Sequence, residues 1–154
     1  MKSFSGGFSL VPISLVKTDL AEEATKKLYS IYGANTKAVS FEKFKEISKG
    51  KDFYCMIKNN HLVGALSLGK WGTNHLVLHE VWAAPSKDFV KANGMTAGKA
   101  MFSFAKESAT KMGREFFTSA PVSVGEKFIQ RMQGTFKKKP KEKPVRKIIR
   151  PKFT

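Results

Sequence analysis

Two stretches of this 154-residue chain carry residue types that can do chemistry. The first is Lys91, Ala92, Asn93, Gly94, Met95 and Thr96, between an apolar, strand-like run and an amphipathic, helix-like one. A helix that opens from a small-residue loop leaves its first N–H groups unpaired. With the positive end of the helix dipole, those groups form an anion site. Gly94 has two readings there. It admits a phosphate where a β-carbon would block it, or it merely permits the turn into the helix. Lys91 and Lys99 would add charge, with Lys87 close in sequence. The second stretch is Leu76-Val77-Leu78-His79-Glu80-Val81-Trp82, where Glu80 is a carboxylate inside an apolar strand. Such a group either points to solvent or lines a site, and strict alternation places Glu80 and His79 on opposite faces.

Other constellations do not assemble. His61 falls in a hairpin turn and His75 opens a strand, so no Ser/His/Asp or Cys/His arrangement emerges. Cys55, the single cysteine, sits in an apolar strand and reads as a small buried hydrophobe. One cysteine excludes an intrachain disulfide framework and a Cys-based zinc site.

The elements that must position these residues are legible in order. Residues 8–16 form a β-rich run, with Pro12 suiting an edge or a bulge. Asp19 with Glu22 makes a capping-box pattern for a helix carrying Leu20, Ala24, Leu28, Ile31 and Tyr32, and Gly33 is its stop signal. Ser40 caps a short helix with Phe41, Phe44 and Ile47 on one face, ending by Gly50. Strands over 53–58 and 62–68 join through Asn59-Asn60, residues that tolerate the left-handed turn of a tight hairpin. A turn at 69–74 leads to a strand over 76–82. The central helix then buries Ala97, Ala100, Met101, Phe104, Ala105, Ser108 and Met112, and Gly113 ends it. A strand over 114–121, a helix over 126–133 with Phe128, Ile129 and Met132 inward, and strands over 135–139 and 145–150 complete a single domain, 1–154.

Length and composition, with 42% hydrophobic residues, suit one core. No run approaches the roughly 20 apolar residues of a membrane-spanning helix. The first 16 residues lack a signal-peptide pattern, so a cytoplasmic protein is expected. The net charge of +16 is uneven: the basic segment 136–154 holds seven Lys and two Arg against Glu142. Lys137, Lys138, Lys139, Lys141, Lys143, Arg146, Lys147 and Arg150 would suit nucleic acid or an acidic protein, unless the charge serves solubility alone.

This order of elements resembles the GNAT superfamily of N-acetyltransferases over nearly the whole chain, with degenerate motifs. Val81-Trp82-Ala83-Ala84-Pro85 looks like the end of the family's fourth strand. Residues 91–96 look like its acyl-CoA loop, with Lys91 for Arg, Thr96 for the last small residue, and about three extra residues after Pro85. Phe128-Ile129-Gln130-Arg131-Met132 with Gly134 and Phe136 looks like its C-terminal motif. The resemblance implies an α/β fold, a mixed, mostly antiparallel sheet of about six to seven strands flanked by about four helices. It implies acetyl-CoA as acetyl donor, with Glu80 as catalytic base and residues 91–96 binding the cofactor. The family's acid, a Tyr, falls at Ile129, and its frequent Asn falls among Val122, Ser123 and Val124, which leaves the acid role unfilled. The chain is also similar to small bacteriophage-encoded GNAT-like proteins. That similarity implies an alternative: a non-catalytic binding or virion protein, in the host cytoplasm or the virion.

Overall fold

The computed structural model describes residues 1–35 and 39–118. Among them six strands form one sheet in chain order: β1 (Lys2–Phe4), β2 (Phe8–Pro12), β3 (Lys51–Lys58), β4 (His61–Trp71), β5 (His75–Ala83) and β6 (Glu115–Thr118). Neighbours from β1 to β5 are antiparallel, and β5 and β6 are parallel. Helices α1 (Thr18–Asn35) and α2 (Phe41–Ile47) lie between β2 and β3, and α3 (Lys87–Asn93) and α4 (Ala97–Lys111) between β5 and β6. A parallel pair needs a crossover, and α3 with α4 supply it. This is the mixed, mostly antiparallel six-stranded sheet with four helices that the resemblance implied.

Alternation along the strands divides the core into two layers. On one face Met56, Leu66, Leu68, Leu76 and Leu78 pack with Phe89 of α3 and with Ala100, Met101, Phe102 and Ala105 of α4. On the other, Cys55 and Ala65 pack with Ala24 and Leu28 of α1 and Phe44 of α2, with Tyr29, Phe53 and Trp82 around them. Cys55 is fully buried, and desolvation pushes its thiol up to about 12, so it remains a protonated core residue, as its apolar strand suggested.

Several boundaries differ from the sequence-based expectation. The N-terminal run is a hairpin: β1 and β2 pair across Gly6-Gly7, and the chain leaves the sheet at Pro12 for a 3₁₀ turn over Ile13–Leu15. Proline has no N–H to continue a ladder. α1 begins at Thr18 and places Asp19 in its first turn, where the carboxylate accepts from the N–H of Leu20 at 2.9 Å. It also runs past Gly33, because the packing of Tyr29 and Tyr32 on Phe44 outweighs the roughly 1 kcal/mol that a helical glycine costs. Ser40 caps α2 as expected, its Oγ accepting from the N–H of Lys43 at 3.0 Å. Asn59 and Asn60 adopt φ of 52° and 63° at the β3–β4 turn. The buried face of α4 is rotated from the expected one: Phe102 and Ala109 are inside, Phe104 and Ser108 half-buried, and Met112 exposed.

Among the described residues no helix is long and apolar enough to cross a membrane. The helix expected over 126–133, the strands over 135–139 and 145–150, Ile129 and the basic segment 136–154 lie outside the described residues.

Candidate active site

The main local irregularity of β5 is a bulge. Ser67 pairs with Glu80 while Leu68 pairs with Leu78, so His79 is the extra residue of the bulge. A bulge turns two consecutive side chains to one face, which alternation forbids. Glu80 faces Ser67: the Ser67 hydroxyl donates to Glu80 Oε1 at 2.5 Å, and the Glu80 N–H donates to Ser67 Oγ at 3.2 Å. His79 lies over Gly69, two residues along β4 and on the same face. A β-carbon on Gly69 would meet His79 Nε2 at 2.6 Å and Lys51 Cγ at 3.6 Å, so only glycine leaves the imidazole its place. His79 and Glu80 therefore share the α1/α2 face, which corrects the expected separation.

Glu80 does not point to solvent either, being 5% exposed. Burial raises its pKa above the ordinary value of 4.5, opposed by the Lys51 ammonium and by the hydrogen bond from Ser67. Burial also lowers His79, to about 4, and the Lys51 charge acts in the same direction. The imidazole is therefore neutral across the physiological range. The stability linked to it is fully present above 6.5, where folded and unfolded chains are both neutral, and is lost as pH falls toward 4, because only the unfolded chain takes up the proton. A pH series of thermal or urea melts should lose up to about 3 kcal/mol over that interval, and His79→Gln should flatten the loss. An unchanged slope in the variant would assign the loss to other groups.

Beside the bulge, β5 and β6 pair from His75 with Glu115 to Leu78 with Thr118, the last described residue of that segment, and β5 stays paired with β4 through Ala83.

The expected loop at 91–96 takes a different form. Lys91, Ala92 and Asn93 are the last turn of α3, and only Gly94, Met95 and Thr96 separate it from α4. Ser86 caps α3 by accepting from the N–H of Phe89 at 3.2 Å, Asp88 lies in the first turn, and buried Phe89 anchors it. Ser86-Lys87-Asp88 is a helix-start signal that reading the whole segment as loop passes over. The Asn93 side chain is engaged with Ser5 and Phe89, and the Ala92 side chain lies against Gly6. Lys87, Lys91 and Lys99 are exposed.

Gly94 is the left-handed cap of α3, with φ 75° and ψ 12°, and its N–H donates to the Val90 carbonyl at 2.8 Å. A β-carbon there would meet no atom within 4 Å, so the backbone angle and not crowding calls for glycine. Thr96 caps α4: its Oγ1 accepts from the N–H of Lys99 at 3.1 Å and its carbonyl from Ala100 at 3.0 Å. The N–H groups of Ala97 and Gly98 have no acceptor among the described residues. Two free amides, an open approach at Gly94 and the positive end of a 15-residue helix fit an anionic group. Among the described residues no cluster of three His, Cys, Asp or Glu side chains is arranged to hold a metal ion.

No protein-family model matches the chain, and none of the curated proteins matches it. Solved structures do. A ribosomal-protein-alanine N-acetyltransferase from Brucella melitensis biovar Abortus 2308 aligns at TM-score 0.60 and 12% identity, over 94% of this chain and 99% of its own. A GNAT family acetyltransferase from Elizabethkingia anophelis, solved with acetyl-CoA bound, aligns at TM-score 0.55 and 14% identity, over 82% of this chain and 74% of its own. An aminoglycoside N-acetyltransferase in complex with CoA aligns at TM-score 0.55 and 12% identity, covering 99% and 98%. At these identities the likeness concerns the fold, and the chain has the fold of the GNAT acetyltransferases.

Proposed function

We propose that this protein is an acetyl-CoA-dependent N-acetyltransferase. The observation that carries this reading is a buried carboxylate, Glu80, at a bulge of β5, on a strand that leads through α3 to the unpaired amides of α4. Acetyl-CoA supplies the activated acetyl thioester. The N–H groups of Ala97 and Gly98 would bind its pyrophosphate, with Lys91 and Lys99 adding charge. The left-handed backbone at Gly94 would keep the approach clear. Of the residues expected to bind the cofactor, Lys91 and Thr96 keep a part at the rim and the helix cap, while Ala92 and Asn93 act behind the turn.

Glu80 would accept a proton from the acceptor ammonium, directly or through one water. The freed lone pair would then attack the thioester carbonyl carbon and the C–S bond would break; the nitrogen would lose its second proton to water as the thiolate takes one from water, giving an acetamide and the free CoA thiol. Burial makes Glu80 a stronger base than an exposed carboxylate, while Lys51 and the Ser67 hydroxyl favour its ionised form. Ser67 also fixes the carboxylate orientation through its bond to Oε1.

Isothermal titration with acetyl-CoA tests this reading. Binding in the micromolar range is expected, and no heat at millimolar ligand would remove it. That second result would leave the other reading, similar to phage-encoded relatives, in which the fold carries no cofactor. The charge of segment 136–154, through Lys137, Lys138, Lys139, Lys141, Lys143, Arg146, Lys147 and Arg150, would then engage nucleic acid or an acidic protein.

A further inference from the structure

The N-terminal hairpin and the end of α3 make a contact that the acetyl-transfer reading does not use. Asn93 is the last residue of α3 and directly precedes Gly94. Its Oδ1 accepts from the N–H of Ser5 at 3.0 Å, and its Nδ2 donates to the Ser5 carbonyl at 3.0 Å and to the Phe89 carbonyl at 3.2 Å. The carboxamide therefore pairs with Ser5 as an adjacent strand would, and both of its N–H donors are used. Two further contacts set the same joint. The Phe89 ring packs against Phe4 and Phe8, at centroid distances of 5.6 and 4.9 Å. Gly6, at φ 85°, lies so close to α3 that a β-carbon on it would sit 2.8 Å from Ala92 Cβ. At the far end of β1, Lys2 pairs with Glu107 of α4 at 3.0 Å. The hairpin thus touches the helices on both sides of the Gly94–Met95–Thr96 turn.

We propose that Asn93 is a positioning residue for this turn, and that the β1–β2 hairpin is the fixed body against which it holds the α4 amides. The proposal rests on the acetyl-CoA reading. Only three residues join α3 to α4, so the direction in which the last turn of α3 points decides where Thr96 and the first amides of α4 lie. An anion needs those amides aimed at one point, and small displacements of a binding group are costly. The Asn93–Ser5 bonds are exposed, so they contribute little to global stability. Their effect is on geometry.

The test compares wild type with Asn93→Ala in two measurements: CoA affinity by titration, and amide hydrogen exchange of the ligand-free protein. The variant should bind CoA about tenfold more weakly. Exchange should quicken about tenfold at Gly94, Lys99 and Ala100, whose amides flank the turn, and stay unchanged in β4. Gly6→Ala should reproduce both effects by pushing the hairpin off α3, and Ala92→Gly in that background should restore part of the affinity. Unaltered CoA affinity in Asn93→Ala would overturn the proposal. So would an affinity loss accompanied by faster exchange throughout β4, which marks general loosening. A wild type that binds no CoA at all defeats the acetyl-CoA reading instead, and the exchange data still report whether Asn93 holds the turn.

Discussion

Glu80→Gln should lower kcat for acetyl transfer by about 10²- to 10⁴-fold while making the protein more stable at neutral pH. The two effects share a cause. Glu80 is 5% exposed, and desolvation raises its pKa. A carboxyl group with a raised folded pKa favours folding below its ordinary value of 4.5, and that contribution is lost as pH rises through the folded value. At pH 8 the wild type therefore holds a buried charge that glutamine lacks, and the amide oxygen can still accept from the Ser67 hydroxyl. The stabilisation should be on the order of 1 kcal/mol. Melting curves at pH 8 and pH 4 would check it: the gap between the two proteins should be present at the higher pH and close at the lower. A variant that is less stable at both would mean that Glu80 serves the fold alone. Full retention of kcat, with CoA still bound, would remove Glu80 from the chemistry.

Gly94→Glu should weaken CoA binding by at least about a hundredfold. A β-carbon at Gly94 meets no atom within 4 Å, so the new side chain starts into open space on the side from which a ligand would approach the turn. It also sets a negative charge near the amides of Ala97 and Gly98, where the proposal places the pyrophosphate. The φ of 75° adds a backbone strain of about 1 kcal/mol for any residue with a β-carbon. Gly94→Asn separates the two effects, because asparagine tolerates that angle and carries no charge. Titration of both variants should show asparagine close to wild type and glutamate without measurable binding. Equal losses in the two would assign the effect to the backbone and not to repulsion of an anion.

The differences between sequence and structure follow from how far each signal reaches along the chain. Caps, alternation and turn preferences act over a few residues. Ser40 starting α2, Asn59-Asn60 turning β3 into β4, and the apolar run of β5 were therefore legible, and with them the order of elements that points to the fold. The location of a carboxylate in an apolar strand was legible too, but not its burial, because the strand alone leaves Glu80 either facing solvent or lining a site.

What the tertiary structure decided is relative placement. Whether His79 and Glu80 share a face depends on the register of β5 against β4, where one extra residue overrides alternation, and Gly69 shows its purpose only once the imidazole lies across it. Residues 91–93 became helix because Phe89 found Phe4 and Phe8 some eighty residues away in the chain, and Asn93 found Ser5. Local composition specifies which segments form and which groups they carry. The distances among those groups arise from contacts between segments remote in sequence, and a linear string does not hold them.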